Sequence, residues 1–403
     1  MAGRCSVPLA QVATLNPRPV HALSDETPIS FVPMAAVSAE EAKVTLAMDR
    51  PYAEVRKGYT YFETGDVLVA KITPCFENGK IAQALLPRQY GFGSTEFHVV
   101  RPTSGKLDGR YLHHFLRQAR IRVEGERRMT GSGGQRRVPE DFLAHLSIPL
   151  PPLPEQRRIA AILDQADALR AKRREALAQL DSLTQSIFIE IFGSNGQSPV
   201  TVGDRLTIHP QGWTWDLLTD VARLATGHTP DRKREDYWGG EIPWITLTEI
   251  RQFDGKTAST TKERITEAGL KNSSAVLLPT GTVCFSRTAS IGFVTVMGRP
   301  MATSQDFVNW VCGERLHPTY LMHAFLQSRS RLRSLSTGST HKTIYFPTVE
   351  QFRVLVPPLD MQERFATRIQ AVESLKATHR AALAELDALF ASLQHRAFAG
   401  QLS

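Results

Sequence analysis

Residues 151–169 read PPLPEQRRIAAILDQADAL, and residues 357–375 read PPLDMQERFATRIQAVESL. Both stretches open on two prolines and pass through a shared glutamine into a long run with helical spacing. At a constant offset of 206, Pro151, Pro152, Leu153, Gln156, Arg158 and Ala160 meet Pro357, Pro358, Leu359, Gln362, Arg364 and Ala366. The match continues through Leu169, Arg174, Leu177, Leu180, Asp181, Leu183, Ser186 and Phe192, which meet Leu375, Arg380, Leu383, Leu386, Asp387, Leu389, Ser392 and Phe398. Upstream, with small shifts, Gly65 and Lys71 meet Gly281 and Arg287, Phe97 meets Phe307, Tyr111 meets Tyr320, and Thr130-Gly131-Ser132 meets Thr337-Gly338-Ser339. A period near 200 residues is a duplicated domain and not a solenoid of short repeats.

The repeat predicts a globular stretch at 1–150, a long helix at 151–196, a second globular stretch at 197–356 and a second long helix at 357–403. In the first helix Ile159, Ile162, Ala166, Leu169, Ala176, Leu180, Leu183 and Ile187 fall three or four apart. In the second, Phe365, Ile369, Val372, Leu375, Ala382, Leu386, Leu389 and Leu393 do the same. Pro154 sits where a first-turn proline is tolerated, and Gly193 and Gly400 mark the exits. Each helix of about 40 residues makes a rod of roughly 60 Å. Two matched apolar stripes predict that the rods pair as an antiparallel coiled coil. Ile159, Ile162, Leu169, Leu180, Leu183, Ile369, Leu375, Leu386 and Leu389 are the expected pairing or partner-docking positions. The globular stretches alternate β-rich runs, such as Asp66–Ile72 and Val283–Arg287, with short helices at Tyr111–Gln118 and Tyr320–Gln327. The fold expected is therefore α+β, with two mixed α/β domains separated by two long helices.

Composition narrows the function. The 403 residues are 42% hydrophobic and carry a net charge of +8. Lys plus Arg exceed Asp plus Glu by 4 in residues 1–154 and again by 4 in 194–359, while 155–193 and 360–403 are neutral. The basic excess thus lies in the two globular stretches, which points to two sites for one kind of polyanion, nucleic acid first. No apolar run is long enough to span a bilayer, and the opening residues lack a signal-peptide pattern, so a cytoplasmic location with no membrane contact is expected. Cys5, Cys75, Cys284 and Cys312 are scattered without partners at ligand spacing, so neither a disulfide frame nor a metal site is expected.

The order of a globular domain, a Pro-Leu-Pro-Glu-Gln-Arg stop and a long helix, given twice, resembles the specificity subunit of type I restriction–modification enzymes. Gly212-Trp213, Gly227-His228-Thr229-Pro230, Tyr237-Trp238-Gly239-Gly240 and Ile242-Pro243-Trp244 are similar to the opening of target-recognition domains in that family. Lys71-Ile72-Thr73-Pro74-Cys75-Phe76-Glu77-Asn78-Gly79-Lys80 resembles another of its motifs. One departure is Asp360-Met361 in the second block, where the first has Pro154-Glu155 before its glutamine. The resemblance implies two target-recognition domains on a helical spacer, each reading one part of a split double-stranded DNA target. It also implies docking of two methyltransferase subunits and, through the complex, of restriction/translocase subunits. S-adenosylmethionine and ATP with magnesium then belong to those partners, and this chain binds no cofactor itself. All five tryptophans lie in the second domain, so the two half-sites are expected to differ.

Candidate DNA contacts follow from chemistry. Thr130, Ser132, Gln135, Arg136 and Arg137 lie in a glycine-rich basic loop suited to close backbone approach to phosphate. Thr337, Ser339, His341 and Lys342 form its counterpart. Lys71, Thr73, Asn78 and Lys80 in the first copy and Arg287 in the second make a second pair of loops, and Ser304 and Gln305 precede the matched Phe307, with Gln305 able to read adenine. Arg232-Lys233-Arg234 reads as a solvated turn that could touch the DNA backbone. No P-loop, amino-methylase motif, H-E-x-x-H, G-x-S-x-G or nuclease-like carboxylate–lysine cluster occurs, and the chain reads as non-catalytic. A coiled-coil adaptor for protein partners, and an enzyme with an unrecognised active site, are the alternatives.

Overall fold

In a computed structural model the described residues are 6–19, 22–132, 134–193, 198–203, 211–337 and 342–402. The chain forms two compact units, one of Met1–Leu177 with Thr378–Ser403, the other of Ala178–Ala377. Both boundaries fall inside a long helix, since the helices run over Leu153–Phe192 and Leu359–Phe398, 40 residues each.

In the first unit a six-stranded sheet runs in the order Ala13–Leu15, Phe97–Pro102, Val67–Ala70, Ile81–Gln83, Lys43–Val44 and Val37–Ser38. A four-stranded sheet, Met48–Pro51, Pro28–Val32, Tyr90–Gly93 and Thr60–Glu63, stands beside it in the fold. The run Val67-Leu68-Val69-Ala70 is buried throughout, as a central strand covered on both faces must be. In the second unit a five-stranded sheet runs in the order Ala222–Thr226, Phe307–Cys312, Val283–Ser286, Val294–Met297 and Thr257–Ala258. Its central Val283–Ser286 is again wholly buried. Gly65 and Gly281, with φ of 99° and 84°, make the turns that start the two equivalent strands. The short helix expected at Tyr111–Gln118 spans Gly109–Leu116, whereas its counterpart is longer, covering Pro318–Ser334.

The quoted glutamines explain the repeated entrance. Gln156 is fully buried; its Nε2 donates to the carbonyls of Lys106 (2.9 Å) and Pro151 (2.8 Å), and its Oε1 accepts from the Asp108 N–H (2.8 Å). Gln362 does the same with Arg315 (3.0 Å), Pro357 (2.8 Å) and His317 (2.8 Å). The side chain thus staples the helix start to the loop that leads into Gly109–Leu116 in one unit and Pro318–Ser334 in the other, satisfying three backbone groups that burial would otherwise strand. Tyr111 and Tyr320 add a second matched tie, donating to the carbonyls of Pro149 (2.9 Å) and Leu355 (2.7 Å). The missing proline at the second entrance changes neither the staple nor the helix length. At the exits, Gly193 and Gly400 have φ of 77° and 75°, a left-handed conformation that glycine adopts without steric cost.

Each unit contains the first part of one long helix and the last part of the other, paired antiparallel. In the first unit Arg170 meets Asp387 and Arg173 meets His379. In the second, Asp181 meets Lys376 and Glu190 meets Arg368. Helix ends complete the cores: Phe398 packs on Tyr111 and Phe115, and Phe192 packs on Trp213, Tyr320 and Phe365.

The pairing stripe differs from its periodic reading. Ile159, Leu180 and Ile369 are buried and Ile162 and Leu386 half-buried, but Leu169, Leu183, Leu375 and Leu389 are 51%, 42%, 47% and 49% exposed. The seam at those levels is charged. Arg170 and Lys376 occupy it with only 15% and 6% of their side chains exposed, which turns the neighbouring Leu169 and Leu375 outward.

Candidate nucleic-acid interface

The two candidate loops of the first unit are zipped together by main-chain hydrogen bonds. Ile72 and Thr130 each form an antiparallel bridge with Arg137. Thr73 N–H donates to Arg136 O (2.9 Å), Val138 N–H to Lys71 O (2.9 Å), and Lys71 N–H to Glu96 O (2.9 Å). The 130–137 loop turns through Gly131, φ 120°, where a Cβ would meet the Gln135 carbonyl at 2.8 Å. Glycine is needed there on both counts.

The second unit repeats this bond for bond. Thr288 and Thr337 bridge Thr343. Ala289 N–H donates to Lys342 O (3.0 Å), Ile344 N–H to Arg287 O (2.9 Å), and Arg287 N–H to Asp306 O (2.9 Å). Lys71, Glu96 and Arg136 therefore stand where Arg287, Asp306 and Lys342 stand. One backbone frame carries two sets of side chains.

Within that frame the candidates sort by what already holds them. Thr130, Ser132, Gln135 and Arg136 are exposed in the first unit, and Asn78 is exposed in the facing loop. Arg136 approaches a partner only loosely, its Nη2 lying 4.0 Å from Glu77 Oε1. Arg137, by contrast, is clamped to Glu96 by Nε (2.9 Å) and Nη2 (2.7 Å). That clamp, with Lys71 and His98 adding to it, holds the Glu96 carboxyl below its usual pKa against the opposing effect of burial. Arg137 thus braces the loop, and Arg136 is the available guanidinium. Thr73 spends its hydroxyl on Arg136 O (3.3 Å). Lys80 is half-buried with Nζ on the Met34 carbonyl (3.0 Å), which turns it from a surface contact into a tie of the fold. Phe76 is buried.

In the second unit Thr337, Lys342 and Gln305 are exposed, and Lys342 has no side-chain hydrogen bond or ion pair among the described residues. Ser339 and His341 lie outside the described residues. Ser304 is a correction: it is buried, and its hydroxyl donates to Asp306 (2.9 Å), so it faces the interior. Arg287 packs over the Phe346 ring at 4.6 Å and donates through Nη2 to the Gln305 carbonyl (3.0 Å). Burial draws its pKa down, against the pull of Asp306. Arg232 stacks on Trp238 (3.9 Å) and Trp244 (4.9 Å) and pairs with Glu263, so that turn is braced rather than free.

Sequence reasoning missed Glu96 and Asp306, the acids that organise each frame. A signal was available, because each follows a serine by two positions and precedes a matched phenylalanine, and in both copies that serine hydroxyl accepts the acid's N–H. Among the described residues no group of three His, Cys, Asp or Glu side chains could hold a metal ion, and no helix is long and apolar enough to cross a membrane.

The family model for the type I restriction modification DNA specificity domain matches residues 48–179 and 210–388, one match in each copy. The type I restriction enzyme EcoEI specificity subunit of Escherichia coli is 38% identical over 183 residues, which cover 45% of this chain and 31% of that protein. The EcoAI specificity subunit of the same species is 39% identical over 181 residues, 44% of this chain and 31% of that protein. The chain's match thus spans about a third of the length of these curated relatives. A chain solved in work on complex assembly and conformational transition of the type I R-M system shares the fold, with a TM-score of 0.59 at 20% identity over 99% of this chain and 98% of that one. With both copies of the duplicated frame matched by one family model, the chain belongs to the type I restriction modification DNA specificity family.

Proposed function

We propose that the chain is the non-catalytic specificity subunit of a type I restriction–modification complex and reads a split, asymmetric target in double-stranded DNA. The observation that carries this reading is the duplicated loop frame. The same main-chain bonds hold Arg136 and Thr130 in one unit and Lys342 and Thr337 in the other, with exposed Asn78 and Gln135 beside the first pair and exposed Gln305 beside the second. A constant frame with varied side chains suits two half-sites read by the same geometry but unlike in sequence. The braced residues Arg137, Lys80 and Ser304 drop out of the contact set, and Arg136 and Lys342 become its phosphate-facing cations.

Partner docking finds support in the helices. Leu169 with Leu389 in one unit, and Leu183 with Leu375 in the other, are exposed leucines at equivalent positions, which suits two copies of one apolar-faced partner. That partner is the methyltransferase subunit, two per chain, which binds S-adenosylmethionine. Restriction/translocase subunits, using ATP and magnesium, join through it. The test is co-purification with the cognate methyltransferase followed by methylation of a plasmid library. A complex of two methyltransferases and one specificity chain that methylates a split motif is expected. Motif-specific methylation by the isolated chain would refute the non-catalytic assignment.

A further inference from the structure

The stretch Gly227-His228-Thr229-Pro230 lies against the strand end that carries Gln305, and its contacts are those of a fixed support. A Cβ on Gly227 would come within 2.2 Å of Thr303 Oγ1 and 2.3 Å of the Thr303 and Ser304 carbonyl oxygens, so only glycine lets the loop sit this close. His228 N–H donates to Thr303 O (2.9 Å), and Trp244 Nε1 donates to His228 O (3.2 Å). Pro230 is buried. The loop so held aims Thr229 at Gln305, whose Oε1 accepts from the Thr229 hydroxyl at 2.7 Å. The Gln305 main chain is held separately by the Arg287 guanidinium, 3.0 Å from its carbonyl.

An exposed glutamine ordinarily turns among many rotamers and presents either end of its amide. Here the oxygen is turned onto Thr229, which leaves the Nε2 donors on the other side of the amide. The partner such donors find on a base edge in the major groove is an acceptor, and every purine offers N7. In the first copy Thr95 stands at the equivalent position, between Ser94 and Glu96 as Gln305 stands between Ser304 and Asp306. Only the second unit carries this device.

We propose that Thr229 is a positioning residue that holds Gln305 as a purine reader, its Nε2 donating to N7 of one base in the half-site read by the second unit. This rests on the assignment of the chain as a DNA-reading subunit. The test uses the complete complex with its methyltransferase. Selection from a randomised duplex library with wild type and Gln305→Ala identifies the position at which a purine preference disappears. Placing a 7-deazapurine there should weaken binding of wild type about tenfold and leave Gln305→Ala unaffected, since the single lost acceptor is the one that Gln305 uses. Thr229→Val should lose a similar factor on natural DNA and become insensitive to the 7-deazapurine, while Thr229→Ser keeps both affinity and sensitivity. The proposal is overturned if Gln305→Ala retains every preference, or if the 7-deazapurine penalty is the same in Thr229→Val as in wild type. A wild-type complex with no sequence preference at all would instead remove the DNA-reading assignment on which it stands.

Discussion

Arg170 donates to Asp387 across the paired helices at 2.5 Å, and the pair has a duplicate in Lys376 and Asp181 at 2.8 Å. Each cation is also tied to an acid three residues earlier on its own helix, Arg170 to Asp167 and Lys376 to Glu373. Burial alone would lower the Lys376 pKa, but Asp181 and Glu373 outweigh it and raise it. The Arg170 pair, whose acid is the less exposed of the two and whose guanidinium also stacks on Phe390 at 4.5 Å, should be the stronger of the two cross-helix contacts. A double-mutant cycle with Arg170→Ala and Asp387→Ala is expected to give a coupling of about 1–2 kcal/mol, against less than about 1 kcal/mol for Lys376→Ala with Asp181→Ala, because Asp181 is 69% exposed. Denaturant titration of the four singles and two doubles measures both. Equal couplings would show that burial does not set the strength of this seam.

Gln156→Ala and Gln362→Ala should each destabilise their own unit by about 2–4 kcal/mol, since each leaves one N–H and two carbonyls without partners. Hydrogen exchange should localise the loss to the Asp108 amide for the first and the His317 amide for the second, because those N–H groups donate to the removed side chains. Unchanged protection at these amides would remove the staple as the reason for the repeated motif.

Much of this was legible in the sequence. The helix entrances could be read because the two prolines and the glutamine recur within one short stretch, although the partners Lys106 and Asp108 that Gln156 reaches lie 50 and 48 residues away. The strand starts at Gly65 and Gly281 were legible because positive φ singles out glycine. The seam was not, since periodicity ranks leucine above arginine and lysine, and the half-buried Arg170 and buried Lys376 reverse that ranking. Nor could the sequence separate Arg136 from Arg137. The acid that clamps Arg137 lies 41 residues away, and only the folded frame brings it near.

That separation is testable. Arg136→Ala should weaken DNA binding of the assembled complex and reduce the slope of log affinity against log salt by about one, as loss of one phosphate contact requires. Lys342→Ala should do the same through the second unit. Arg137→Ala should act differently, releasing Glu96 and loosening the loop, with a lowered melting temperature of the first unit. Glu96→Gln should share that effect. Equal salt slopes in wild type and Arg136→Ala would exclude Arg136 from phosphate contact.

Acid should destabilise the second unit through His323. Burial, and secondarily Lys376, lower its pKa from 6.5 to about 4. The folded state therefore keeps the ring neutral where the unfolded chain protonates it. Its stabilising share is present above pH 6.5 and lost as pH falls towards 4, up to about 3 kcal/mol in all. Unfolding free energies of wild type and His323→Gln between pH 7 and pH 4 should converge as pH falls. Parallel curves would show that His323 carries none of the acid sensitivity.

What matters most is whether two copies of one loop frame read two unlike halves of one target. Single-molecule sequencing of methylated DNA from cells carrying the complex tests it most directly, comparing wild type with Arg136→Ala and Gln305→Ala. A split motif with unlike halves that appears only when this chain is present is expected. Gln305→Ala should relax one position in one half and leave the other half intact, and Arg136→Ala should lower methylation of the whole motif without changing its sequence. A contiguous motif, a motif that persists without this chain, or a Gln305→Ala change that falls in both halves would contradict it.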